Sequence, residues 1–172
     1  MKIGRQNLQD LFAPQIAFCL GDCGDVTPRL PDDDYVVITD PPYTIRTAEQ
    51  CNEMLKRLGL VEFDALVLTN PENGYIWRGE KHFLPQLAPQ RTAAHPNQRP
   101  VDEMAKLVAM TRRPCALCQD RVVLDPYAGC GTTLLAAMKV GRRAIGIDRE
   151  MAYWLRFCEV CATFGRRVTV SF

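Results

Sequence analysis

Apolar positions along this chain follow two rhythms. Short unbroken runs occur at Ile16–Leu20, Tyr35–Thr39, Ala65–Leu68, Val122–Leu124 and Ala144–Ile147, most ending at a glycine or an acid. Runs of this length without polar alternation predict strands buried on both faces, as in a parallel sheet. Between them the spacing becomes helical. Ala48 to Leu58 puts Cys51, Leu55 and Leu58 on one face and stops at Gly59. Val101 to Met110 does the same with Met104, Leu107 and Val108. Thr133 to Val140 and Met151 to Phe164 read as two further helices, residues 6–13 as a short one before Pro14, and Val168 to Phe172 as a terminal strand. Pro28 and Pro31 to Asp34 form a tight connection, and the proline-containing stretch 69–99 reads as irregular. The alternation predicts an α/β fold. It is a doubly wound, mostly parallel sheet with a ligand at the carboxyl ends of its strands, formed as one domain over residues 1–172.

Two strand ends carry chemistry. The first is Asp40-Pro41-Pro42-Tyr43. Neither proline donates an N–H, so the carbonyls of this rigid shelf are available as acceptors. A flat base with an exocyclic amine fits it: the Asp40 carboxylate and the Pro41 carbonyl take the two hydrogens, and Tyr43 stacks on the ring. The plain alternative is a Pro-Pro turn with a capping acid. The second is Asp125-Pro126-Tyr127-Ala128-Gly129-Cys130-Gly131-Thr132, a strand end, a glycine turn and a helix start. Gly129 and Gly131 allow a tight bend and a close approach to a ligand. Asp148, nineteen residues past Gly129, ends the next strand, where an acid commonly holds ribose hydroxyls.

Taken together these segments resemble the permuted (beta) class of S-adenosylmethionine-dependent DNA amino-methyltransferases, in which the catalytic motif precedes the cofactor motif. Leu20-Gly21-Asp22-Cys23, Asp40 to Tyr43, His95-Pro96-Asn97-Gln98-Arg99-Pro100, Asp125 to Thr133 and Gly146-Ile147-Asp148 resemble that family's motifs in order, from about Ile16 to Phe164. The family usually has Lys where this chain has Arg99, and Glu is common in place of Asp148. The resemblance implies a Rossmann-like methyltransferase fold with a circularly permuted motif order. S-adenosylmethionine would lie over Tyr127, Gly129, Gly131 and Thr132. Asp148 would hold its ribose, Asp22 its adenine amine, and Asp125 its methionine ammonium. His95 would close over that end, with Arg99 meeting a carboxylate. The target is a base flipped from duplex DNA. Asp-Pro-Pro-Tyr favours N6 of adenine, whereas Ser in the first place favours N4 of cytosine. An RNA or protein-glutamine methyltransferase and a silent binding partner are the other readings.

Composition narrows the remaining choices. The 172 residues carry a net charge of +1, unevenly placed: residues 1–75 hold six Lys/Arg and twelve Asp/Glu, residues 76–172 fifteen and eight. A basic half binds phosphates even in a neutral chain. Residues 69–94 interleave Tyr75, Trp77 and Phe83 with Arg78, Lys81, His82 and Arg91. That mixture suits a small DNA-recognition insertion, with Trp77, Arg78 and Lys81 as contacts; the alternative is a structural hairpin with core aromatics. So short a reader implies a brief site or a homodimer. Eight cysteines and no secretory h-region imply free thiols in the cytoplasm of a bacterial or phage-infected cell, with no membrane association. Cys115/Cys118 and Cys158/Cys161 have the spacing of zinc ligands, but two thiol pairs and no bound metal are expected.

Overall fold

Eight strands share one sheet. In chain order they are β1 (Ile16–Leu20), β2 (Tyr35–Thr39), β3 (Asp64–Thr69), β4 (Gly74–Trp77), β5 (Glu80–Phe83), β6 (Val122–Asp125), β7 (Ala144–Asp148) and β8 (Thr169–Ser171). Across the sheet the order is β5-β4-β3-β2-β6-β7-β1-β8. The strands from β3 to β8 in that order are all parallel, and the β3–β4 and β4–β5 pairs are antiparallel. The computed structural model describes residues 16–42, 45, 47–69, 74–77, 80–83, 98–112, 121–163 and 169–171. The expected helix over residues 6–13 lies outside them.

Helices cover both faces, as the unbroken apolar strands require. They are α1 (Cys23–Val26), α2 (Ala48–Arg57), α3 (Val101–Met110), α4 (Thr132–Lys139) and α5 (Met151–Thr163). Ile16, Phe18, Val36, Ile38, Leu66 and Leu68 pack with Met104 and Val108 of α3, Leu134 of α4 and Phe157 of α5. Their strand neighbours Ala17, Cys19, Tyr35, Val37 and Val67 pack on the other face with Cys51, Met54 and Leu55 of α2. Each of these strands thus feeds two cores. Fully burying one Leu- or Phe-sized side chain stabilises by about 1.5–3 kcal/mol.

Local signals set the helix ends. Thr47 and Gln50 form a reciprocal capping box at the start of α2, with bonds of 3.1 and 3.2 Å. Gly59, at φ 69, closes that helix so that the Leu60 N–H bonds back to the Leu55 carbonyl at 2.8 Å. The connection through Pro28 is a short helix followed by a 3-10 turn over Thr27–Arg29.

Two features differ from the expectations above or lie outside them. Part of the stretch expected to be irregular, 69–99, is the β4–β5 hairpin, which extends the sheet. Tyr75 and Trp77 pack against the first core and Ile76 lies in the second. Period-2 alternation over four residues was hidden among prolines and charges. The other is Arg142, 1% exposed, whose guanidinium donates to the Val108 carbonyl (2.8 Å), Thr111 Oγ1 (2.6 Å) and the Arg121 carbonyl (2.7 Å). It ties the end of α3 to the start of β6, a bonding pattern that its one-dimensional context does not reveal.

Candidate active site

Four parallel strands, β2, β6, β7 and β1, end at one edge of the sheet, and most of the charged motifs follow one of them. The connection from β2 leads to β3 on one side, while β6 connects through α4 to β7 on the other. Strand order therefore diverges between β2 and β6, where open α/β sheets place their ligands. A cleft of about 380 Å³ opens there. Asp40, Pro41 and Pro42 line it from β2, Tyr127 and Gly129 from β6, Asp148 from β7, and Gly21, Asp22 and Cys23 from β1. Pro41 is buried and Pro42 exposed. Tyr43 and His95 lie outside the described residues.

The glycine turn is held by its neighbours. Gly129 and Gly131 have φ values of 52 and 80. Asp148 Oδ2 accepts from the Gly129 N–H at 2.8 Å and Oδ1 from the Glu150 N–H at 2.9 Å, so this acid spans the turn and the start of α5. The sequence reading gave Gly131 to ligand approach. The structure gives a different reason: a Cβ there would sit 2.3 Å from Phe157 Cδ2, inside the core. Gly146, in the middle of β7, is equally constrained, since a Cβ would lie 2.5 Å from a Leu134 methyl and 2.8 Å from the Ala128 Cβ. It lets the turn and α4 close onto the sheet.

Asp125 is 2% exposed. Its Oδ1 accepts from Thr39 Oγ1 at 2.7 Å and from the Tyr127 N–H at 3.1 Å, and Thr133 adds a side-chain bond. Burial pushes its pKa up to about 6 against the pull of those three donors. Thr39 ends an apolar run as its one polar member, and that was the signal for its role. Asp22 has the local duty of a lone acid after a strand. It caps α1 by accepting from the Gly24 N–H at 2.8 Å, while also lining the cleft. Cys23 and Tyr127 are hydrogen-bonded to each other across the cleft wall, and burial raises the pKa of both. Burial likewise raises that of Cys130, as suits a packed thiol rather than a nucleophile. On α5, Cys161 faces the core and Cys158 is partly buried; Cys115 and Cys118 lie outside the described residues.

Arg99 meets a carboxylate within the chain, that of Asp40. It is 3% exposed and forks onto Asp40: Nε to Oδ2 at 2.8 Å and Nη2 to Oδ1 at 3.3 Å. The hairpin residues also shift in meaning. Trp77 pairs with Leu66, which pairs with Ile38, so Trp77 stands two residues short of Asp40 along the strand direction and is half-buried. Its partner in β5 is Glu80. Gly74 and Phe83, at the hairpin's open end, pair beside Thr69 and so lie nearer the cleft edge. Arg78 lies outside the described residues, and of Lys81 only the backbone, in β5, is described.

The fold is that of circularly permuted Rossmann-like methyltransferases. The chain superposes on the M1.HpyAVI–SAM complex with a TM-score of 0.59 at 18% identity, covering 84% of this chain and 99% of that one. It superposes on TTHA0409 of Thermus thermophilus, complexed with S-adenosyl-L-methionine, with a TM-score of 0.54 at 18% identity, covering 91% and 99%. At that identity the likeness is one of fold. Residues 68–156, just over half of the chain, match the model of the N6/N4 DNA methylase family, and the chain belongs to that family in its permuted form. The putative methylase YubD of Escherichia coli (strain K12) is 43% identical over 54 residues, 31% of this chain and 22% of that protein. Type II methyltransferase M.HinfI of Haemophilus influenzae is 40% identical over 60 residues, 35% of this chain and 15% of that protein. The matches thus span less than a quarter of the length of either curated relative.

Proposed function

We propose that this protein transfers a methyl group from S-adenosylmethionine to the exocyclic amine of a base in DNA, N6 of adenine. The observation that carries the reading is one shared cleft, with the Asp40 shelf on one wall and the glycine turn with Asp148 on the other. The donor set fits a nucleoside carrying an amine and hydroxyls. Asp22, Asp40 and Asp148 line the cleft, and the Gly129 N–H is already given to Asp148 instead of facing a phosphate. A pyrophosphate would meet three carboxylates there. When bound, S-adenosylmethionine supplies a methyl on sulfonium, the C–N bond forming as the S–C bond breaks with its electron pair left on sulfur, and the methylated amine sheds one proton to water.

The chain's own residues supply position and charge. Asp148 takes the ribose hydroxyls with the lone pairs that Gly129 and Glu150 leave free, and Asp22 takes the adenine amine. Asp40 and the Pro41 carbonyl accept the two hydrogens of the flipped base's amine, which turns the nitrogen lone pair toward the methyl. M.HinfI is named as a type II methyltransferase, and the family is that of DNA methylases; both support DNA as substrate. In the strand order the target side, from β2 through β5, is separate from the cofactor side, from β6 through β1. No helix among the described residues is long and apolar enough to cross a membrane. A cytoplasmic site of action and a homodimer that shares recognition complete the proposal; sedimentation with and without duplex DNA tests the dimer.

The test is transfer of label from S-adenosylmethionine to duplex DNA, single-stranded RNA and protein, with the product base identified. Label in N6-methyladenine is expected. Label in N4-methylcytosine, RNA or glutamine would overturn the substrate. Asp40→Asn separates the two walls: transfer falls about a hundredfold or more while S-adenosylmethionine affinity stays near that of the wild type. Asparagine is preferred to alanine, because it keeps the side-chain volume and one oxygen acceptor for the buried Arg99.

A further inference from the structure

Asp40, together with Tyr127 and Gly129, stands between two spaces. In front of it lies the open cleft. Behind it is a chamber of about 90 Å³ lined by Leu68, Gln98, Arg99, Met104, Asp125 and Thr133, among others. Asp40 lines both spaces, whereas Arg99 lines only the chamber among the described residues. The guanidinium therefore reaches Asp40 from behind. It engages both carboxylate oxygens, at 2.8 and 3.3 Å, while the Asp40 side chain stays 27% exposed. The chamber's other acid, Asp125, has its own donors in Thr39, Thr133 and the Tyr127 backbone, so it has no need of the guanidinium.

We infer that Arg99 is a positioning residue for methyl transfer, a two-point clamp that fixes the plane of the Asp40 carboxylate so that its free lone pairs face the target amine. The inference rests on the proposed function, and it assigns the carboxylate expected for Arg99 to Asp40. The physical case is one of freedom. An aspartate has two side-chain torsions, and the plane of its carboxylate is set by the second, a broad torsion that packing alone defines poorly. A fork that grips both oxygens removes that freedom, and a planar guanidinium does so where an ammonium, as one point charge, cannot. Arg99 is itself held by burial against Leu68 and Met104, immediately before Pro100 and α3. The clamped carboxylate accepts hydrogen bonds from the amine, and the proton leaves to water.

Arg99→Lys is the decisive variant, because it keeps the charge and the buried stem and loses the fork. Three readouts are taken on the full chain: S-adenosylmethionine affinity by calorimetry, single-turnover transfer at saturating cofactor and DNA, and the urea midpoint of Arg99→Lys, Asp40→Asn and the double variant. The expected result is affinity within about twofold of the wild type, transfer slowed at least about tenfold, and a double variant whose midpoint falls by less than the sum of the single shifts. A tenfold loss of cofactor affinity, with or without slower transfer, would place Arg99 on the cofactor and overturn the inference. So would transfer at the wild-type rate, or additive midpoints. A wild-type chain that binds S-adenosylmethionine but methylates no DNA refutes the proposed function itself, an outcome separate from any change at Arg99.

Discussion

At the scale of single residues, Asp125 has a measurable signature. In the folded protein burial lifts its pKa to about 6, whereas an aspartate in an unfolded chain titrates near 4 (about 3.9). The folded state therefore holds this proton more tightly. Stability from this group is gained as pH falls from about 6 toward about 4, and is lost as pH rises through 6. Above that window the buried ionised carboxylate costs on the order of 3 kcal/mol. Asp125→Asn keeps an oxygen acceptor for Thr39 and the Tyr127 N–H. The variant is thus expected to be more stable than the wild type at pH 7 to 8, with the difference shrinking toward pH 4. Urea midpoints across that range decide it; a variant less stable than the wild type at pH 7 would show that the charge is needed for folding.

At the scale of elements, the glycine turn works by packing as much as by ligand approach. Gly131 precedes α4 with φ 80, and its missing Cβ is the space that Phe157 of α5 fills. Phe157 is fully buried and packs on Phe18 of β1 at 5.4 Å. The turn, α4, α5 and β1 are thus one mechanical unit. Gly131→Ala adds left-handed strain and overpacking, about 2–4 kcal/mol together. It should lower the thermal midpoint before any ligand is added. Gly131→Ala combined with Phe157→Leu should recover part of the loss relative to the sum of the two single substitutions. If Gly131→Ala leaves the midpoint unchanged and only weakens S-adenosylmethionine binding, the glycine serves the ligand alone. The stop of α2 at Gly59 was legible in sequence terms because it acts within a few residues. The Phe157 contact was not, because it joins positions 131 and 157 through the tertiary fold.

At the scale of the whole molecule, charge and topology are separable. The excess of Lys and Arg in residues 76–172 is a property of the chain, and its value to DNA binding is read in salt dependence. Trp77 is level with Ile38 rather than with the shelf, and it packs on the core. Under the proposed function, phosphate contact is the role expected of Arg78 and Lys81. Replacing Arg78 and Lys81 with Ala is expected to weaken duplex binding and to lower the slope of log affinity against log salt by about 1–2. The single-turnover rate at saturating DNA should stay unchanged. A fall in that rate would put these residues at the flipped base; an unchanged slope would move the phosphate contacts to other arginines.

The sequence by itself determined the doubly wound architecture, the bounds of most strands and helices to within about two residues, and the sheet edge at which the charged motifs gather. Those properties follow from local periodicity and from turn residues at strand ends, which act over short distances along the chain. It also brought Asp22, Asp40, Gly129 and Asp148 into one list, because each follows a strand of the same parallel set. Only the tertiary structure decided what each group touches. Arg99 and Asp40 are 59 residues apart and Thr39 and Asp125 are 86 apart. Their pairing depends on which strands are neighbours in the sheet and on how α3 seats against them. A charged residue in a motif announces that it will find a partner; the packing of the sheet chose the shelf acid, 2.8 Å away.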